Sequence, residues 1–203
     1  KTEIEICGEK ITQSNLIGLA EKYLAGEEPS IDFLIFLEHI HASEPDDLLE
    51  AKMEWWKDNG LNEESFVNNK YDEIKANYDL GKHVGIKFPV KVYPKEREPV
   101  CSFITVWIQK RDLPSCEHIH VRSDLVISDE KALNKRSPLF AAVIAEDEEI
   151  SDFLANAEVA SHLRWNRDED TLSENYDNRY ETIKNIRNAL PHLFNLLRGS
   201  QEK

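Results

Sequence analysis

The chain has 203 residues, of which 40% are hydrophobic, so it is long enough to form one large domain or two small ones with a real core. Its 39 acidic and 25 basic residues give a formal net charge of −14, which argues against a function based on neutralising nucleic-acid phosphates. Apolar runs such as 139–145 are far shorter than the roughly 18 residues of a membrane-spanning helix. Direct nucleic-acid binding and a membrane partner are therefore not expected.

The start of the chain and its cysteines bear on completeness and compartment. The first residue is Lys1 rather than methionine, and no secretory signal follows it. Cys7, Cys101 and Cys116 show no CxxC spacing, which favours reduced thiols over a disulfide framework or a cysteine zinc site. We therefore expect a piece of a longer, cytoplasmic polypeptide.

The first 80 residues are predicted to be mostly helical. Apolar residues at helical spacing predict a helix over 13–24, and the almost wholly apolar segment 31–41 predicts a buried helix. A third helix is expected over 46–59, where an acidic start precedes apolar residues and an Asn-Gly stop. A fourth is expected over 62–78. Residues 1–80 are accordingly assigned to a helical N-terminal lobe.

At Gly81 the period of the apolar residues changes from about 3.6 to 2. Residues 84–92 alternate and predict a strand with one wet face, and Pro89 places it at a sheet edge or beside a bulge because proline cannot donate a hydrogen bond. Further strands are predicted over 100–109, 118–127 and 139–145. The last of these lacks alternation and is expected to be buried on both faces.

Helices are predicted after the last strand. One runs over about 148–158, and the final one, 175–198, is expected to be kinked or interrupted at Pro191, with an exposed loop over 166–174 between them. The predicted fold class is α+β: a helical N-terminal lobe, a central sheet of about four strands and C-terminal helices. The sheet and the C-terminal helices form residues 81–203, packed with the first lobe as one unit.

A search for motifs of nucleotide binding and hydrolysis finds none. The sequence contains neither GxGxxG nor GxxxxGK[ST], and it has no GxSxG elbow, HExxH or EF-hand loop. These absences leave two weaker constellations of chemically active residues.

The first constellation is a pair of histidines. His118 and His120 alternate in a predicted strand, so their imidazoles lie side by side on one face, as metal ligands would. The candidates for a third ligand are Glu146, Asp147 and His162. The alternative is that both histidines lie on the wet face of an edge strand. A stand-alone metal-dependent hydrolase, with an activated water at the open coordination position, is thus one hypothesis.

The second constellation is a pair of cations. Lys110 and Arg111 follow the second predicted strand and, with Lys135 and Arg136 of a later loop, form a candidate phosphate-binding set. The alternative is a solvated loop. The net charge by itself supports a further hypothesis, an acidic adaptor whose affinity for a basic partner falls with salt.

Three different segments follow one another in a recognisable order: 118–127, 137–147 and 153–158. His162 and Trp165 come after them. Over 118–165 the chain resembles the region that follows the ATP-binding domain in large bacterial ATPases of the GHKL superfamily, to which histidine kinases belong. In that pattern a strand ending in Arg-Asp-Gly leads to a buried strand, an acidic turn and a helix ending in Ala-Glu, then His and Trp. This chain departs from the pattern at 122–124, where Arg-Ser-Asp lacks the glycine.

The resemblance implies a transducer-like α+β domain, which couples ATP hydrolysis in an adjoining domain to movement. No DxGxG loop and no helix with the Glu and Asn of the ATP-binding domain are present, so ATP and Mg²⁺ are expected in the parent protein and no cofactor in this chain. Lys110 or Arg111 would then be the residue that reaches the γ-phosphate. The expected partner is the rest of the parent polypeptide or another protein, and the implied setting is bacterial phage defence or DNA-related processes.

Overall fold

A computed structural model of the chain describes residues 4–6, 9–12, 15–23, 26, 30–44, 48–57, 60–130 and 132–199. The predicted α+β class is confirmed. The chain divides into two compact units, Lys1–Ser43 and Glu44–Lys203. Within the described ranges, no helix has both the length and the apolar character needed to cross a membrane.

The first unit contains a short hairpin and two helices. Strands β1 (Ile4–Ile6) and β2 (Glu9–Ile11) pair antiparallel. The predicted helices are confirmed as α1 (Leu16–Tyr23) and α2 (Ile31–His41). The α2 helix begins where the Ser30 hydroxyl accepts a hydrogen bond from the backbone N–H of Phe33 at 3.3 Å, as expected of an N-cap serine.

A mixed sheet forms the centre of the second unit. Its strands are β3 (Leu49–Glu50), β4 (Val84–Pro94), β5 (Val100–Lys110), β6 (Cys116–Arg122), β7 (Leu125–Val126), β8 (Leu139–Ala145) and β9 (Tyr176–Asp177). Their order is β3-β4-β5-β8-β6-β7, with β9 beside β4, which makes seven strands within the described ranges. The strand pairs β3–β4 and β6–β8 are parallel. The strands predicted over 84–92, 100–109 and 139–145 correspond to β4, β5 and β8. The single strand predicted over 118–127 is wrong in its second half: β6 ends at Arg122, Ser123 takes a positive φ of 48°, and the chain turns back into β7, which pairs antiparallel with β6. The short strands β3 and β9 are not predicted.

Four helices of the second unit contribute to one hydrophobic core with the sheet. They are α3 (Tyr71–Asp79), α4 (Glu148–Ala157), α5 (Asp170–Asn175) and α6 (Arg179–Arg198). Strand residues at even positions of β4 and β5, such as Ile86 and Ile104, join this core, so the period of 2 in the sequence is confirmed. The α6 helix is continuous through Pro191, and α5 begins inside the predicted loop over 166–174.

The helix predicted over 46–59 is wrong in the part that the structure describes. Residues 49–50 form β3 beside β4, and the indole Nε1 of Trp55 donates to the carbonyl of Pro89 at 3.0 Å. These contacts with β4 override the local helical pattern. The helix predicted over 62–78 is also shorter than expected, because Asn68 adopts a left-handed conformation (φ 55°) and α3 begins only after it.

Pro89 lies in β4, which the sequence places at a sheet edge or beside a bulge and which the structure places inside the sheet, between β5 and the short strands β3 and β9. The backbone N–H of Ala51 donates to the carbonyl of Lys87, so the peptide groups of Lys87 face away from β5. Pro89 is two residues further and faces the same way. Since β3 pairs with residues 86–87 and β9 with residues 93–94, Pro89 falls between them, where no strand requires its missing donor.

We expect Gly85→Ala to lower the free energy of unfolding by about 1–3 kcal/mol, as measured by urea denaturation. A Cβ at Gly85 would lie 2.6 Å from two ring carbons of Trp107 and 2.6 Å from Cδ2 of Leu48. The Trp107 ring is buried and has little room to move. Gly18→Ala in α1 is the control, since nothing lies within 4 Å of its Cβ. A Gly85→Ala protein as stable as the Gly18→Ala protein would contradict the prediction.

Candidate functional site

An open cleft lies where the C-terminal end of β5 meets the C-terminal end of α3. Its volume is about 460 Å³, and it is lined by residues 79–81 and 110–113, which include Lys110 and Arg111. A volume of this size is within the usual range of small-ligand sites. The structure therefore brings both predicted phosphate contacts to one cleft, whereas Lys135 and Arg136 do not line it.

The two cations of the cleft differ in their surroundings. The guanidinium carbon of Arg111 lies 4.1 Å from the centre of the Phe140 ring, a cation–π contact that holds it against the sheet. Lys110 Nζ is 3.9 Å from Asp79 Oδ1, and its side chain is 41% exposed. Lys110 is thus the better placed of the two to reach a ligand beyond the cleft.

The charge of the cleft is balanced rather than basic. Asp79 and Asp112 line it together with the two cations. The C-terminal end of α3 also faces this region, and the end of a helix carries partial negative charge there. A phosphate in this cleft would therefore lie near two carboxylates as well as the two cations.

His118 and His120 lie side by side, as their alternation predicts, with ring centres 5.7 Å apart. They do not form a wet face: the side of β6 that carries them faces the core, and His120 is only 1% exposed. The reason is what packs on that face: the Trp165 ring lies edge-on against His120, and the Glu130–Arg187 ion pair lies beside it. The alternative in which both histidines lie on the wet face of an edge strand is therefore wrong.

The structure does not bring Glu146 to the two histidines. His118 pairs with Ala141 in the β6–β8 ladder, whereas Glu146 follows Ala145, the last residue of β8. The offset is five residues from the partner of His118 and three from Val143, the partner of His120, which correspond to roughly 16 Å and 10 Å along the strand. Asp147 instead accepts a hydrogen bond from Ser102. Among the residues that the structure describes, no group of three or more His, Cys, Asp or Glu side chains is arranged to hold a metal ion.

The chemistry of the buried histidines is that of neutral, structural groups. His118 Nε2 accepts a hydrogen bond from the backbone N–H of Ala132 at 3.2 Å, and its Nδ1 lies 3.5 Å from Cys116 Sγ. Burial lowers the pKa of His118, and burial with the adjacent His118 lowers the pKa of His120 to about 4. Burial and the charge of Glu117 raise the pKa of Cys116 to about 11, so its thiol is protonated and unreactive at neutral pH.

A buried ion pair lies beside His120. Glu130, with a side chain 6% exposed, accepts hydrogen bonds from Arg187 Nε at 2.8 Å and from the backbone N–H of Trp165 at 2.8 Å. Arg187 also donates to the carbonyl of Trp165, whose ring packs edge-on against His120 with centres 5.7 Å apart. This network joins α6 to the loops that contain Glu130 and Trp165. No spacing in the sequence indicates it.

A second buried network lies at the end of β6. The side chain of Glu158 is 2% exposed and accepts hydrogen bonds from Nε and a terminal nitrogen of Arg122, and from Nδ1 of His162 at 2.7 Å. Burial alone would raise the pKa of Glu158, but the hydrogen bonds from Arg122 and His162 outweigh it and the pKa is lowered. Glu158 also bridges Trp165 through the backbone. Arg122, Glu158 and His162 thus hold β6, α4 and the following turn together.

Acidification is expected to destabilise the protein through His120, by about 2 kcal/mol between about pH 7.5 and about pH 5. The folded-state pKa is about 4, whereas the reference value is 6.5, so the unfolded chain takes up the proton first. The contribution of His120 is complete above pH 6.5 and is lost as the pH falls from 6.5 towards 4.

Urea denaturation at the two pH values measures this loss. His120→Phe should reduce the difference between them by about 2 kcal/mol, because phenylalanine does not titrate. His41→Gln, at an exposed position, should leave the difference unchanged. An undiminished difference in the His120→Phe protein would show that His120 does not remain neutral when folded.

The cleft at Lys110 is open to a ligand, whereas the two ion-pair networks are arranged to hold elements together. Comparison with known proteins adds no relative: no protein-family model, no curated protein and no solved structure matches the chain.

Proposed function

We propose that this chain is a non-catalytic coupling and interaction domain of a larger ATPase of the GHKL type. The observation that carries the proposal is the position of Lys110 and Arg111 at the end of β5, a central strand, where both line an open cleft. Two cations at the end of a central strand, one held against Phe140 and one exposed, suit a contact with the terminal phosphate of a nucleotide that an adjoining domain holds. In such a contact they stabilise negative charge without performing the chemistry.

The two ion-pair networks support a role in transmitting movement. Glu158 links the end of β6 to the end of α4 through Arg122, and Glu130 links α6 to the turn at Trp165. Buried, hydrogen-bonded charges resist local rearrangement, because separating them leaves a charge without a partner. A displacement of β6 would therefore carry the end of α4 with it, and a displacement of the turn at Trp165 would carry α6.

The proposal includes a setting. ATP and Mg²⁺ belong to the parent polypeptide, and the partner of this chain is the rest of that polypeptide or an associated protein. Cys101 and Cys116 are free thiols, which fits a reducing cytoplasm. Phage defence is the biological role that the resemblance suggests.

ATP hydrolysis by the intact product of the natural gene tests the proposal. We expect the Lys110→Ala/Arg111→Ala double variant to lower kcat at least tenfold, since removing one preorganised charge-stabilising contact costs about 10²–10³ in kcat. The matched control is Lys135→Ala/Arg136→Ala, which removes two adjacent exposed cations outside the cleft and should leave kcat unchanged.

Two results would contradict the proposal. An unchanged kcat in the Lys110→Ala/Arg111→Ala product would remove the phosphate contact. ATP hydrolysis by the 203-residue chain alone, at the rate of the intact product, would show that this chain is itself the enzyme.

A further inference from the structure

Asp79 shares the cleft with Lys110. Its Oδ1 lies 3.9 Å from Lys110 Nζ, and its Oδ2 accepts a hydrogen bond from Lys75 Nζ one turn earlier in α3. The carboxylate therefore stands between two ammonium groups at the C-terminal end of a helix. The partial negative charge of the helix end adds to that of the carboxylate and favours a cation at Lys110 Nζ.

An anion in the cleft would compete with Asp79 for the ammonium group of Lys110. Lys110 can direct its ammonium group towards Asp79 or towards a phosphate that approaches from outside, and the Asp79 carboxylate repels that phosphate. Asp79 is held in place by Lys75 as well as by its position on α3, so it stays in the cleft when Lys110 leaves.

We propose that Asp79 is an internal competitor for Lys110, which weakens the hold of the cleft on a terminal phosphate and makes the contact readily reversible. The inference rests on the proposed function, because it takes the terminal phosphate of a nucleotide as the ligand of the cleft. Its consequence is that Lys110 returns to Asp79 once the phosphate departs, so that the contact resets after each turnover.

The size of the effect follows from exposure. The side chains of Lys110 and Asp79 are 41% and 45% exposed, so solvent screens the pair. Pairs of this kind contribute little each, and their removal corresponds to about a two- to fivefold change in an equilibrium constant. The change should shrink as salt is added, because both charges are accessible to counterions.

The test measures binding of inorganic tripolyphosphate to the 203-residue chain by isothermal titration calorimetry at low salt. Asp79→Asn keeps the size of the side chain and removes its charge. Glu73→Gln is the matched control, because Glu73 lies on the same helix, pairs with Lys70 and does not line the cleft. Lys110→Ala is made in the wild-type and in the Asp79→Asn protein.

We expect Asp79→Asn to bind tripolyphosphate about two- to fivefold more tightly than Glu73→Gln, and Lys110→Ala to abolish that gain. If Lys110→Ala weakens binding but Asp79→Asn binds no more tightly than Glu73→Gln, the competition is overturned and the phosphate contact stands. If Lys110→Ala binds as the wild type does, or if the Asp79→Asn protein shows no binding, both the competition and the proposed phosphate contact are overturned.

Discussion

Replacing Arg122 by methionine is expected to lower the free energy of unfolding by about 3–5 kcal/mol. Methionine keeps much of the apolar stem but removes both hydrogen bonds to Glu158, whose side chain is 2% exposed. The carboxylate is then left buried with His162 as its remaining hydrogen-bonding side chain in the part of the chain that the structure describes. Urea denaturation at neutral pH, followed by circular dichroism, measures the loss.

A double variant separates the cost of the unpaired charge from that of lost packing. Arg122→Met/Glu158→Gln should recover much of the lost stability, because an amide is far less costly to bury than an unpaired carboxylate. His162→Ala removes an exposed partner of the same carboxylate and should cost about 1 kcal/mol or less. If Arg122→Met costs no more than His162→Ala, the buried ion pair does not contribute as the geometry indicates.

Replacing Trp165 by alanine is the second change with a large expected effect, a loss of about 3–5 kcal/mol. The ring is 1% exposed and packs against His120, so its removal leaves a cavity in the core. The backbone of Trp165 also anchors Glu130 and Arg187, so the cavity lies next to a buried ion pair. Thermal and urea denaturation followed by circular dichroism avoid the loss of the tryptophan signal.

Two variants calibrate this result. Trp165→Phe should cost much less than Trp165→Ala, because the indole Nε1 has no hydrogen-bond partner among the described residues and an aromatic ring is retained. Trp56→Ala removes the same side chain from a half-buried position and should cost less than the change at Trp165. Equal losses at the two tryptophans would contradict the burial that the structure gives to Trp165.

The parts of the fold that were predictable are those in which local pattern and tertiary contacts agree. The alternation over 84–92 and the unbroken apolar run 139–145 both correspond to strands, and Ile150, Phe153 and Leu154 face the core as their spacing predicts. The segment 46–59 has a helical pattern, but its described residues 49–51 pair with β4, and that backbone pairing and the Trp55 hydrogen bond decide their conformation. A strand of two residues is too short to show an alternating pattern, so the sequence does not reveal its pairing with β4.

The candidate site was predictable only in part, for a related reason. The adjacency of Lys110 and Arg111 is visible in the sequence, but the acid opposite them comes from α3 and is revealed only by the fold. Alternation correctly places His118 and His120 on one face of a strand, yet whether that face is wet depends on which distant residue packs on it, here Trp165. The pair of Glu130 and Arg187 joins residues far apart in the chain, and no local spacing marks it.

The position of β8 has a consequence for folding during synthesis on the ribosome. This strand lies between β5 and β6 in the sheet, although it is made after both. A nascent chain that ends before Leu139 has its β4–β5 hairpin and its short β6–β7 hairpin, but lacks the strand that joins them. Pairing of this non-local kind is slow and leaves unpaired strand edges exposed in the meantime. The growing chain is therefore most prone to aggregation until β8 emerges and closes the sheet.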